Sequence, residues 1–290
     1  MANSIALVKK YVDKLDDVYK LASLTDILES DASTVRQGMN TNEIIIPKID
    51  MDGLANYSRS GGYVDGDDKL TWETVKFDYD RGRAFSVDAM DDEETIGISF
   101  GMLSSRFVRN KVVPEMDAYR FAKYAGKSGI TLKSEALTTG DSVCSAITTA
   151  NNVLDEAEVD AENRILFITP TLHTAIIALD SYKSKAMLEG FSKVVKVPQT
   201  RFYTAVGLLD GTTEGEEIGG YKKATSGKNI NFMIIDKSAV LQFTKHVVNK
   251  VVAPEDNQTA DAWKFFYRAY GLTDVYDNKV KGIYCSHSTT

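Results

Sequence analysis

The chain is poor in the residues from which small-site chemistry is usually built, with two cysteines and three histidines in 290 residues. Cys144 and Cys285 lie far apart without CxxC spacing, which excludes a disulfide framework and leaves two plain structural thiols. His173, His246 and His287 stand singly, with no HExxH or other ligand spacing, so no metal site is expected. Charge of one sign is also lacking: 34 Lys and Arg against 41 Asp and Glu give −7, with no basic run or tail. That excludes tight tracking of a phosphate backbone. Long apolar runs are missing as well. MANSIALVKKYVDKLDDVYK is charged every few positions, unlike a signal peptide, and no later stretch approaches a membrane span, so a soluble protein made in the cytoplasm is expected.

Catalytic motifs are equally scarce. GYKKATSGKN at 220–229 has the wrong glycine spacing for a phosphate loop, Asn229 where Ser or Thr is needed, and a strand after it instead of a helix. Asp65, Asp67 and Asp68 lack the distal Glu of a calcium loop and read as an acidic turn. No G-x-S-x-G elbow occurs, and no nucleophile is paired with a base. The chain offers no catalytic residue, no cofactor site and no metal site.

What is present is an ordinary globular composition, 43% apolar and 26% charged, enough for a real core. Residues 5–29 repeat apolar positions at three- and four-residue steps and predict an amphipathic helix. A polar connector over 30–43 leads to a short strand at Ile44, Ile45 and Ile46. Residues 53–69 are nearly all Gly, Ser, Asn, Tyr and Asp, an exposed loop. The alternation over 72–87 predicts an extended ribbon ~50 Å long, with a bulge at Gly82. Asp91, Asp92, Glu93 and Glu94 suit the N-terminus of a helix reaching about Tyr124, also ~50 Å long, which Pro114 should kink or restart. Beyond it come a helix after Asp141, a buried strand at 164–168, a helix opened by Thr169 and Pro170, strands near 194–197, 201–206 and 231–235, and strand-like runs from Ala239 onward. This is an α+β order without internal repeats. A polar helix, a loop and a ribbon all lack partners within it.

Three stretches, NEIIIPKIDMDGLANYSRSGGYVDGD, LTWETVKFDYDRGRAFSVDAMDDEET and FVRNKVVPEMDAYRFAKYAG, resemble the N-arm exit, extension loop and spine helix of tailed-phage major capsid proteins of the Hong Kong 97 type, from Firmicutes phages and prophages. ILFITPTLHTAIIAL resembles the strand and helix opening the axial domain; NFMIIDKSAVLQFTKHVVNKVVAPE and AWKFFYRAYGLTDVYDNKVKGIYCS resemble the peripheral return and closing strand. The resemblance implies an N-arm at 1–45, an extension loop at 46–90, spine helix and peripheral domain at 91–140, an axial domain at 141–245, a peripheral return at 246–275, and a closing strand and tail at 276–290. It implies a non-enzymatic virion protein, assembled in the host bacterial cytoplasm into pentamers and hexamers of a DNA-filled icosahedral shell, contacting scaffolding and portal proteins, touching DNA weakly and no membrane. Tyr63, Trp72 and Phe77 are then expected to contact a neighbouring subunit. Asp65, Asp67 and Asp68 at the loop tip are expected to pair with Arg106, Arg109 and Lys111 on its spine helix. Some members crosslink through Lys, Asn and a catalytic acid; here Lys69 and Asn257 fit two parts, but 263–267 holds no carboxylate, so no crosslink is expected. An encapsulin-like compartment shell and a soluble enzyme with scattered acids are the alternatives.

Overall fold

The computed structural model describes residues 23–30, 36–37, 43–94, 104–179 and 182–289. In chain order the strands are β1 (Arg36–Gln37), β2 (Glu43–Met51), β3 (Asp68–Lys76), β4 (Tyr79–Asp88), β5 (Thr131–Ser134), β6 (Arg164–Ile168) and β7 (Lys193–Lys196). They continue with β8 (Val206–Leu209), β9 (Gly220–Lys223), β10 (Ile230–Asp236), β11 (Val240–Val252), β12 (Ala262–Val275) and β13 (Ile283–His287). The α-helices are α1 (Ala89–Glu94), α2 (Val113–Gly126), α3 (Gly140–Glu156), α4 (Pro170–Ile177) and α5 (Tyr182–Glu189).

Successive side chains of a strand point to opposite faces, and β6 uses both. Ile165 and Phe167 join a core with Phe121, Tyr124, Phe202 and Met233, whereas Leu166 and Ile168 join another with Val143, Ile147, Leu154 and Phe232. A five-stranded mixed sheet, β5-β13-β10-β6-β7, is therefore covered by α2 on one side and by α3 and α4 on the other. Each large side chain fully buried there contributes about 1.5–3 kcal/mol. The apolar stripe expected after Asp141 falls on α3, whose Val143, Ile147, Ala150 and Leu154 are all inaccessible. Thr139 and Ser142 start that helix with a reciprocal capping box. Thr169 precedes α4 as expected, but its hydroxyl makes no cap bond.

A second sheet, β11-β12-β4, packs Tyr79, Phe265 and Tyr267 against Val112, Val113 and Met116 of the long helix. This overturns the single ribbon over 72–87. The alternation is divided at Phe77 and Asp78, because β3 pairs with β2 while β4 pairs with β12 in a different sheet. No bulge occurs at Gly82, whose register with Arg268 is unbroken; the irregularity lies in β11 between Thr244 and His246. Gly82 serves close approach instead, since a Cβ there would stand 2.8 Å from the Tyr267 carbonyl oxygen. A strand at 201–206 is also corrected: residues 199–201 form a 3₁₀ turn, and β8 begins at Val206.

Residues 95–103 of the expected long helix lie outside the described residues. From residue 104 the helix runs through a π turn, Val108–Val112, into α2. Pro114 is the cause: it has no N–H to give Asn110 and its ring would press on that carbonyl, and the wider π turn relieves both. The helix expected over 5–29 lies mostly outside the described residues, and its end is not helical as expected: Asp26–Leu28 is one 3₁₀ turn.

Candidate assembly surfaces

A third sheet, β1-β2-β3, forms an arm, and β8-β9 makes a separate two-stranded hairpin. At its root Ile44 and Ile46 pack with Leu241 and Leu272, joined by Val75, Phe77 and Phe243. β2 and β3 pair over nine residues, ~30 Å at a strand's rise, and the five pairs from Pro47 and Trp72 out to Met51 and Asp68 lie beyond this root. Pro47 pairs with Trp72 beyond the two residues that pair with β1, where among the described residues β2 has a partner on one side only and a residue without N–H is tolerated. The loop at 52–67 is exposed, as its composition predicts. It is closed at its base by Asp52, which donates its N–H to Asp67 O (3.2 Å) and accepts from Asp67 N at Oδ2 (2.9 Å). Leu54, Tyr57, Tyr63 and Val64 face outward, with Tyr57 and Tyr63 edge to face at 4.9 Å.

Of the contact residues expected from the sequence, Tyr63 is 88% and Trp72 46% exposed on this arm, and Asp65, Asp67 and Asp68 are exposed at its far end. Phe77 is not on that outer surface. It is half-buried in the root and stacks on Tyr270 at 5.1 Å, so its apolar face is used by its own chain.

Arg106, Arg109 and Lys111 are exposed on the helix about 104–112. Arg106 and Lys111 line a cleft of about 1280 Å³ bounded by this helix, β4 and the β8–β9 hairpin. The same cleft holds Arg81, Arg83 and Arg201, which the sequence reading did not single out. DYDRGRAF carried the signal, because arginines two apart on a strand share a face. Arg81 donates to Glu115 at 2.8 Å and to Gly220 O at 3.2 Å, and Arg83 donates to Glu217 O at 3.0 Å. Burial, then the charge of Glu115, pushes the Tyr79 phenol up, so it stays protonated and donates to that carboxylate. Asp210 is held well below the usual carboxylate range by the Thr213 hydroxyl and then by the amides of Thr213 and Thr212.

A third feature anchors the chain's N-terminal part. Asp117 on α2, inaccessible to solvent, accepts from Ser23 Oγ, Leu24 N, Thr25 N and Thr25 Oγ1 and pairs with Arg201 at 3.2 Å. Arg120 donates to Thr25 Oγ1, and Gln242 donates to Thr25 O. Among the described residues no cluster of His, Cys, Asp or Glu is built to hold a metal, and no helix is long and apolar enough to cross a membrane. Asn257 folds its own turn, donating to Ala262 O and accepting from Thr259.

An extended two-stranded arm, a long interrupted helix, a helix-covered sheet and a separate three-stranded sheet together make the Hong Kong 97-type capsid fold. Solved structures share it across nearly the whole chain. A structure from Gordonia phage Cozz aligns at TM-score 0.58 and 12% identity, covering 92% of this chain and 87% of that one. The virus-like particle from Pyrococcus furiosus aligns at 0.57 and 12%, covering 97% and 99%. The capsid of cyanophage P-SCSP1u aligns at 0.56 and 14%, covering 91% and 87%. The sequence matches no protein-family model and no curated protein.

Proposed function

We propose that the chain is a major capsid protein that self-assembles into the icosahedral head shell of a tailed phage or prophage, and that it catalyses nothing. The observation that carries this reading is the arm: it displays Leu54, Tyr57, Tyr63 and Trp72 on a hairpin that reaches beyond its own core. Exposed apolar side chains on a projecting element gain burial only against another molecule. A shell subunit supplies that molecule through repeated heterologous contacts around five- and six-fold positions. In this reading the arm is the extension loop, the helix through α2 is the spine, the five-stranded sheet is the axial domain and β11-β12-β4 is the peripheral domain. Tyr63 and Trp72 bury against a neighbour. Scaffolding and portal proteins are further partners, packaged DNA is touched weakly, assembly takes place in the host cytoplasm, and the quoted motifs point to a Firmicutes source.

Sedimentation velocity of the purified chain tests the reading. Particles far heavier than the 32.0 kDa subunit support it, and a lone monomer at all concentrations refutes it. The likeness to the Pyrococcus furiosus virus-like particle also fits, less specifically, a second reading, a compartment shell enclosing proteins. Particles isolated from the native source separate the two: nuclease-protected DNA supports the head shell, and enclosed enzyme without DNA supports the compartment.

A further inference from the structure

We infer that the cleft between β4, the helix and the β8–β9 hairpin binds a small amphiphilic anion, a carboxylate carried on a long aliphatic chain. The inference goes beyond the shell reading and does not rest on it, because one subunit supplies the whole lining. That lining has a charged part and an apolar part. In a chain of net charge −7, Arg81, Arg83, Arg106, Lys111 and Arg201 stand here against two acids, Glu115 and Asp210. Arg81 is paired with Glu115 and Arg201 with Asp117. Among the described residues Arg83, Arg106 and Lys111 have no carboxylate partner, so three cations remain uncompensated. The apolar wall is Phe85, Phe107, Tyr267, Pro114 and Leu209. Ile218 lines the same cleft and is 86% exposed, an apolar side chain that its own fold leaves in water.

These two parts together narrow the ligand. About 1280 Å³ is far more than an inorganic anion fills. A wholly apolar molecule would strip water from the three cations and return no partner. A phosphodiester backbone would leave the apolar wall unused. An anion on an apolar body satisfies both. The rings already take their edge contacts from one another, Phe107 lying 4.7 Å from Phe85 and 6.0 Å from Tyr267, so what they offer a ligand is non-directional surface suited to a flexible aliphatic chain. The charged end is preorganised. Gly211 and Gly219, at φ +79° and +68°, wrap the Arg83 guanidinium so closely that a Cβ on either would come within 2.8 and 3.2 Å of Nη1, and Nη2 donates to Glu217 O at 3.0 Å. A guanidinium fixed before binding lowers the ordering cost, and its planar fork matches a carboxylate.

The test is titration calorimetry of the full chain with decanoate, 1-decanol and acetate at constant ionic strength. Decanoate should bind saturably, and decanol and acetate at least about tenfold more weakly, since each lacks one half of the match. Arg106→Ala with Lys111→Ala, both exposed positions, should weaken decanoate at least about tenfold. Tyr63→Ser with Trp72→Ser, on the distant arm, should leave it unchanged. Decanol binding as tightly as decanoate reduces the cleft to an apolar patch, and loss of binding in the arm pair puts the ligand elsewhere; either result, or no saturable binding, overturns the proposal. If the double alanine variant lowers the urea midpoint, alkylation decides. In a chain carrying Cys144→Ser and Ile218→Cys, decanoate should slow alkylation of the introduced thiol severalfold, and equal rates with and without decanoate refute the site. Sedimentation of the same samples reads shell formation separately, so failure of the ligand site and failure of the shell reading are distinguishable.

Discussion

Replacing Asp117 with Ala should detach the N-terminal anchor. The buried carboxylate accepts Thr25 Oγ1 at 2.8 Å, Thr25 N at 3.3 Å and Leu24 N at 3.2 Å. Arg120 already donates to Thr25 Oγ1, so that hydroxyl needs an acceptor for its own proton. Removing the carboxylate leaves at least two buried donors unsatisfied, at about 1–3 kcal/mol each. Arg201, about one-fifth exposed, regains water when its partner goes and adds little. The expected loss is therefore about 2–6 kcal/mol, a large share of a typical domain's stability. Urea unfolding of the unassembled subunit should show a lower midpoint with an unchanged slope, and limited proteolysis should cut near residues 23–30. Asp117→Asn, which keeps one acceptor oxygen, should lose about half as much. A loss below about 1 kcal/mol for the Ala variant would show that the network does not hold the segment.

Tyr63→Ala combined with Trp72→Ala should leave subunit unfolding within about 0.5 kcal/mol of the parent but reduce shell yield severalfold, as measured by sedimentation; equal yield removes the arm from the interface. Amide exchange over 52–72 should slow on assembly, and equal protection in both states contradicts the arm contact. Shells boiled in detergent and reductant should run as one band near 32.0 kDa, because 263–267 supplies no acid to activate Lys69; a ladder of multimers contradicts this. Burial raises the Cys285 thiol well above its ordinary value, so it stays protonated in the folded chain and should resist alkylation until the chain unfolds. The sign for stability follows: the contribution is full below the unfolded thiol's value of about 8.5 and falls by about 1.4 kcal/mol per pH unit above it. Cys285→Ala should lack that slope, and an identical pH profile for both proteins refutes the assignment.

Elements with a period of their own were legible in the sequence. The stripe on α3, the all-buried β6 and the polar loop between β2 and β3 each announce one environment by residue type alone. The partition of 72–87 was not, because β3 and β4 share one alternation and only their partners, β2 and β12, divide them. Gly82 is ambiguous for the same reason: a glycine needed for an interstrand approach looks identical to one needed for a bulge. For the assembly surfaces, Tyr63, Trp72 and the acidic tip stood out as apolar and charged groups with no core to join. Phe77 did not reveal that Tyr270, nearly two hundred residues later, occupies its face. Arg81, Arg83 and Arg201 converge only once β4 and the β8–β9 hairpin are side by side. The Asp117 network likewise depends on Thr25 and Arg201 meeting across three distant segments.

The central claim is that this chain closes into a shell held by arms crossing between subunits. Cryo-electron microscopy of the purified protein under assembly conditions addresses it most directly. Closed icosahedral particles are expected, with the Glu43–Met51 and Asp68–Lys76 hairpin of each subunit lying on its neighbour. Monomers only, or particles in which that hairpin folds back on its own subunit, contradict it.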